Sequence, residues 1–156
     1  MKTKLILPYR LLALATLLVL VSACAIDKTV PTPVGTSTMP VSTTDPTKTF
    51  DLTGQAVLVQ GAFVNGVHTV SGNVKVYEKA GKRTLVFSDF KTEGGPDLRI
   101  YLAEDAALTN FVEVSKLTAT GSFFLELPDS ANPVKQRTVL IWCKQFSVLF
   151  GSATLK

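Results

Sequence analysis

The sequence predicts an all-β domain over residues 51–156, a single antiparallel sandwich or small barrel of about eight to ten strands. Three observations predict it. Short β-prone runs alternate with Gly, Pro and Asn turn signals from Leu52 onward. No 11-residue window of that part repeats its apolar residues at the helical period. The most β-prone run, Arg137–Leu155, contains a strand apolar on both sides, with Val139, Ile141 and Cys143 on one and Leu140 and Trp142 on the other. Such a strand is expected at the centre of a fold, covered on both faces.

In chain order, Gln55–Gln60 reads as a first strand that continues through Val64, and Asn65-Gly66 is a strong turn signal. Val67–Val70 and Asn73–Glu78 follow, with Gly72 between them as a bulge or bend, and Val74 and Val76 facing inward. Ala80-Gly81-Lys82 is a hairpin turn, and Arg83–Phe90 is the returning strand. Glu93-Gly94-Gly95-Pro96-Asp97 is a sharp loop before Leu98–Ala103, a strand with Leu98, Ile100 and Leu102 inward. Asp105–Asn110 is a loop or single helical turn, followed by strands at Val112–Leu117 and Ser122–Leu127. Thr138–Cys143 and Gln145–Phe150 form the last pair. Gly151 is expected to end the second of these, leaving Ser152–Leu155 as a separate short strand.

The first 50 residues are of another kind. Lys2, Lys4 and Arg10 form a positive region, Leu11–Leu20 an apolar one, and Val21-Ser22-Ala23-Cys24 closes it. The ending resembles a bacterial lipobox. That resemblance implies a signal peptide over residues 1–23, cleavage before Cys24 and a lipid on Cys24. The uninterrupted apolar run, Leu11–Ile26, is shorter than the ~20 residues a spanning helix needs. Ala25 stands where an Asp would favour inner-membrane retention, so the outer membrane or cell surface is the expected location. Residues 24–50 then read as the lipidated cysteine and a tether, with Pro31, Pro33, Pro40 and Pro46 among many Thr and no apolar period. Fully extended, such a tether reaches about 80 Å.

Charge excludes one class of partner. The formal net charge is +4, but three of the cations lie in the signal segment, so the remainder is nearly neutral. A nearly neutral domain lacks the basic footprint of a nucleic-acid binder.

Chemistry-bearing residues are scarce. Beyond Cys24 the chain holds one thiol, Cys143, and one imidazole, His68. A structural zinc site needs about four Cys/His ligands. A disulfide inside the domain needs two cysteines. No nucleophile elbow or phosphate loop is present, so a stand-alone enzyme is not the favoured reading. Asp89, Glu93, Asp97, Glu104 and Asp105 match no calcium loop and read as solvated turns. Cys143 is the odd cysteine of an exported domain. It is either a small hydrophobe of the core or a reactive thiol. In the second case its cationic or basic neighbours would come from His68, Lys144 or Arg137.

Taken together, three pieces resemble the DM13 domain, a small extracytoplasmic β module. They are Gly61-Ala62-Phe63 with His68 and Gly72; Leu85–Phe90 with Gly95-Pro96-Asp97-Leu98-Arg99-Ile100-Tyr101-Leu102; and Val139–Phe146 with Phe150-Gly151-Ser152-Ala153. The resemblance implies an electron-transfer role and a redox partner protein. It also implies that Cys143 acts as a bare thiol or as the ligand of a prosthetic group such as haem. On that reading His68 is the expected second ligand or base, provided the fold brings the two together. The alternative is a cell-surface binding or adhesion module in which Cys143 is structural. The redox reading requires a sulfur that an oxidant, a haem or a partner can touch.

Overall fold

The computed structural model describes Met39–Lys156. Cys24, the signal peptide and residues 24–38 of the tether lie outside the described residues. Nine strands form: β1 (Val41–Ser42), β2 (Ala56–Asn65), β3 (Val70–Lys79), β4 (Lys82–Thr92), β5 (Leu98–Ala103), β6 (Val112–Lys116), β7 (Gly121–Glu126), β8 (Thr138–Cys143) and β9 (Val148–Thr154). There is no helix among the described residues. The strands join in one sheet of order β1-β7-β4-β3-β2-β9-β8-β5-β6, curled into a half-barrel. The all-β expectation holds.

The curl turns on β2. Its first part, Ala56–Ala62, pairs antiparallel with β3, while Phe63–Asn65 pairs antiparallel with β9. At the crossover Gln60 exchanges both backbone hydrogen bonds with Lys156, at 3.0 and 2.9 Å. One long strand thus serves both halves, and their inner faces close on a single core. The two edges of the sheet, β6 and β1–β7, flank a groove of about 330 Å³ lined by Val114, Ser115, Phe124 and Leu125.

Period-2 patterning fills that core. Val74 and Val76 from β3, Leu85 and Phe87 from β4, Leu98, Ile100 and Leu102 from β5, and Val139 and Ile141 from β8 are all buried there. A bulge adds one more ring. Gly72 stands where β4 has two residues, Asp89 and Phe90, and Asp89 takes φ 51°. The extra residue turns Phe90 inward beside Phe87; a regular strand would put residues three apart on opposite faces. Phe63, Phe87, Phe90 and Phe123 then stack or meet edge-on, with centroids 4.4–5.9 Å apart. Each such pair contributes ~0.5–1.5 kcal/mol beyond area burial. Gly72 itself has φ 112°, and a Cβ there would stand 2.7 Å from the Phe90 Cα.

β8 lies between β5 and β9, as its two-sided apolar pattern predicts. Its outer residue Leu140 is fully buried with Tyr101 and Ala103 under Leu108, Trp142 and Leu149.

Three local expectations are corrected. Gly151 does not end a strand: β9 runs through it, with Ile141 opposite Gly151 and a bulge between Leu149 and Gly151. Gln145–Ser147 is a turn rather than strand, Ser147 takes φ 54°, and Phe146 is 63% exposed. The chain from Val67 to Thr69 is also turn, and β3 starts at Val70.

The stretch 39–50, which its composition places in the tether, packs on the domain. Val41–Ser42 pairs parallel with Phe123–Phe124 of β7. Phe50 is buried against Tyr77 and Phe124, with ring centroids 5.0 and 5.3 Å away. Two bonds close the loop between them, Ser42 N–H to the Lys48 carbonyl and Phe50 N–H to the Pro40 carbonyl, both 2.9 Å.

Candidate functional site: the Cys143 end of the half-barrel

Cys143 is the last residue of β8 and points inward. Its cross-strand neighbours are Leu98, the first residue of β5, and Val148, the first of β9. All three therefore lie at one end of the half-barrel. The sulfur is free, the residue has 0% exposure, and it belongs to the same cluster as Leu98, Ile141 and Phe150. The alternation that makes β8 a good central strand is what puts the thiol inside.

The connection Glu93–Asp97 crosses this end. Gly95 is buried on the core: a Cβ there would stand 2.7 Å from Leu98 Cδ2 and 3.0 Å from Phe150 Cζ. Only a residue without a side chain lets the backbone lie so close. At its far end the Lys144 N–H, one residue past Cys143, donates to the Asp97 carbonyl at 2.9 Å.

His68 is on the turn beside Glu93, not on the thiol. Its Nδ1 lies 2.8 Å from Glu93 Oε2, and its ring stacks on Phe150 with centroids 3.8 Å apart. Glu93 Oε1 accepts the Thr69 N–H at 2.9 Å. The bond from His68, and after it the one from Thr69, hold the Glu93 carboxyl down at about 2, well below its usual 4.5. Phe150 is thus shared: it belongs to the cluster that holds Cys143 and it carries the imidazole on its other side.

The other groups that sequence placed near the sulfur are engaged elsewhere. Lys144 Nζ binds Glu113 Oε2 at 2.9 Å, and Arg99 bridges Asp97 at 2.6 Å and Glu113 at 2.8 Å. That network holds the Asp97 carboxyl below its ordinary range, chiefly through Arg99, and the Glu113 carboxyl below its own, chiefly through Lys144. Arg137 Nε donates to the Val134 carbonyl, at the opposite end of β8. The acidic residues are dispersed: Asp105 accepts from Ala107 and Thr109, and Glu104 from Asn110. Among the described residues no three His, Cys, Asp or Glu side chains gather to hold a metal ion.

These residues do not fit a haem. Thiolate ligation needs a sulfur facing a cavity the size of the macrocycle, and Cys143 is closed in by packed side chains. A groove of about 570 Å³ opens elsewhere, over Gln60, Asn73, Lys75 and Ser88, and the 330 Å³ groove lies at the sheet edges; neither is lined by Cys143 or His68.

Glu93 is the residue that sequence reasoning missed. Its partner was countable: Lys79 pairs with Lys82 across the Ala80-Gly81 turn, and the single bulge at Gly72 shifts the register by one, to Val70 opposite Thr92. The next pair outward is Thr69 with Glu93, beside His68.

The sequence pattern of the family described as electron transfer DM13 matches residues 62–155, and the chain belongs to that family. No curated protein and no solved structure matches the chain.

Proposed function

We propose that this chain is a membrane-anchored, extracytoplasmic redox module in which Cys143 is a sheltered thiol, exposed only when its cover moves. The observation that carries the reading is membership of the electron-transfer DM13 family in a domain whose sole sulfur, among the described residues outside Met39, is Cys143. The lipobox-like ending at Cys24 supplies the anchor and the location, at the outer membrane or cell surface. Burial suits a thiol that must survive an oxidising compartment, because a thiolate forms and reacts only where solvent reaches it.

The chemistry is thiol–disulfide exchange. The exposed Cys143 loses its proton to water. Its thiolate attacks one sulfur of a partner's disulfide and forms a mixed disulfide. The partner's other sulfur leaves as a thiolate and takes up a proton. Since the described residues hold no second cysteine, the resolving thiol comes from the partner. His68 takes no part as a base: it is spent on Glu93 and Phe150.

A second reading, a binding module with Cys143 as core filler, is favoured by the 0% exposure and the aliphatic neighbours of that residue. Incubating the intact folded protein with glutathione disulfide separates the two. The redox reading expects one glutathione adduct by mass on Cys143, removed by dithiothreitol and absent from Cys143→Ser. No adduct short of denaturation selects the structural reading.

A further inference from the structure

We infer that Glu93–Asp97 is a strap whose release admits reagents to Cys143, and that the His68–Glu93 contact is its latch. The inference rests on the sheltered-thiol reading and adds the moving part.

The strap is held at its ends and free in its middle. At one end Glu93 makes three bonds to the turn before β3: its N–H donates to the Thr69 carbonyl at 3.3 Å, and its two carboxylate oxygens take the Thr69 N–H and the His68 Nδ1. At the other end Asp97 receives the Lys144 N–H and the Arg99 Nε. Gly94, Gly95 and Pro96 between them make no hydrogen bond to a neighbouring element; Pro96 and Asp97 form a local turn. Nothing but packing on Leu98 and Phe150 holds the centre down. Leu98 is the cross-strand neighbour of Cys143, and Phe150 belongs to the same core cluster.

The two ends differ in exposure. The Asp97–Arg99 pair is about three-quarters covered, with side chains 25% and 24% exposed, whereas the His68–Glu93 pair stands 36% and 51% exposed. A partner arriving at this end therefore meets the latch first. Releasing Glu93 frees the strap to swing about Asp97 and lifts Gly95 off Leu98 and Phe150. Segments with few buried contacts open at free energies well below global unfolding.

The test compares the folded full chain with Glu93→Gln and His68→Phe, which keeps the ring on Phe150 but loses the donor. Glu126→Gln on β7 is the control. The readouts are the rate of reaction with Ellman's disulfide, in which the Cys143 thiolate displaces a coloured aryl thiolate, and hydrogen exchange at the Lys144 and Thr69 amides. Both latch variants are expected to react faster by on the order of tenfold, the size of one charge-assisted hydrogen bond in an opening equilibrium. The Thr69 amide should exchange faster in step, while the Val139 amide in the core stays protected. If the wild type reacts through local opening and the latch variants match Glu126→Gln, the strap is overturned and the sheltered thiol stands. If every variant reacts only as fast as it unfolds globally, both fall.

Discussion

A sulfur in aliphatic packing tolerates an alanine better than a hydroxyl: Cys143→Ala should cost about 1 kcal/mol. Cys143→Ser should cost about 1–3 kcal/mol, because its hydroxyl would be buried among Leu98, Ile141 and Phe150 without a partner. Urea unfolding of the two variants checks the order, and a serine variant as stable as wild type would mean the site is wetter than its burial indicates. Glu93 gives a pH signature. Its folded value, about 2, lies below its usual 4.5, so the folded state binds the proton less readily than the unfolded one. The stabilisation is present above about 4.5 and is lost as pH falls toward 2. Thermal unfolding of wild type should therefore fall more steeply across that window than unfolding of Glu93→Gln. Equal slopes would remove the His68–Glu93 bond from the account. The burial of Cys143 was legible in its alternation with Val139 and Ile141. Its distance from Lys144 and His68 was not, because their bonds to Glu113 and Glu93 join residues 31 and 25 positions apart.

At the scale of elements, local chemistry and tertiary packing divided the work. Asn65-Gly66, Ala80-Gly81 and the two-sided apolar run of β8 are local signals; β2, the β3–β4 hairpin and β8 formed where they pointed, though β3 starts at Val70 rather than Val67. The errors came where distant partners override local preference. Gly151 sits inside β9 because Ile141 and Asn65 pair with it on its two sides, and a Cβ there would meet the Val64 carbonyl at 2.7 Å. Phe146 reads as half-buried by alternation, yet the two strands need a turn at that point. Met39–Phe50 looked unable to pack by composition, but Phe50 finds Tyr77 and Phe124 on the outer face of β3 and β7. A chain beginning at Asp51 should therefore fold but lose about 2 kcal/mol or more, the worth of burying one phenylalanine. It should also leave the β7 edge open to pairing. Unchanged stability in urea would return those residues to the tether.

At the scale of the whole molecule, the proposed reading hangs the β core from a lipid on Cys24 through a tether. Its placement at a membrane is tested by mass spectrometry of the mature protein: a diacylglyceryl group on Cys24 is expected, and Cys24→Ala should leave the signal segment uncleaved. In the proposed reading the Cys143 thiol, buried at rest, is reached by a local motion. Measuring the Cys143 alkylation rate of the folded protein across sub-denaturing urea tests it most directly. A local opening exposes little surface, so the rate should stay nearly flat in dilute urea and exceed what global unfolding allows. A logarithm of rate that climbs with the full unfolding slope from zero urea upward would contradict the account and leave Cys143 as part of the packing.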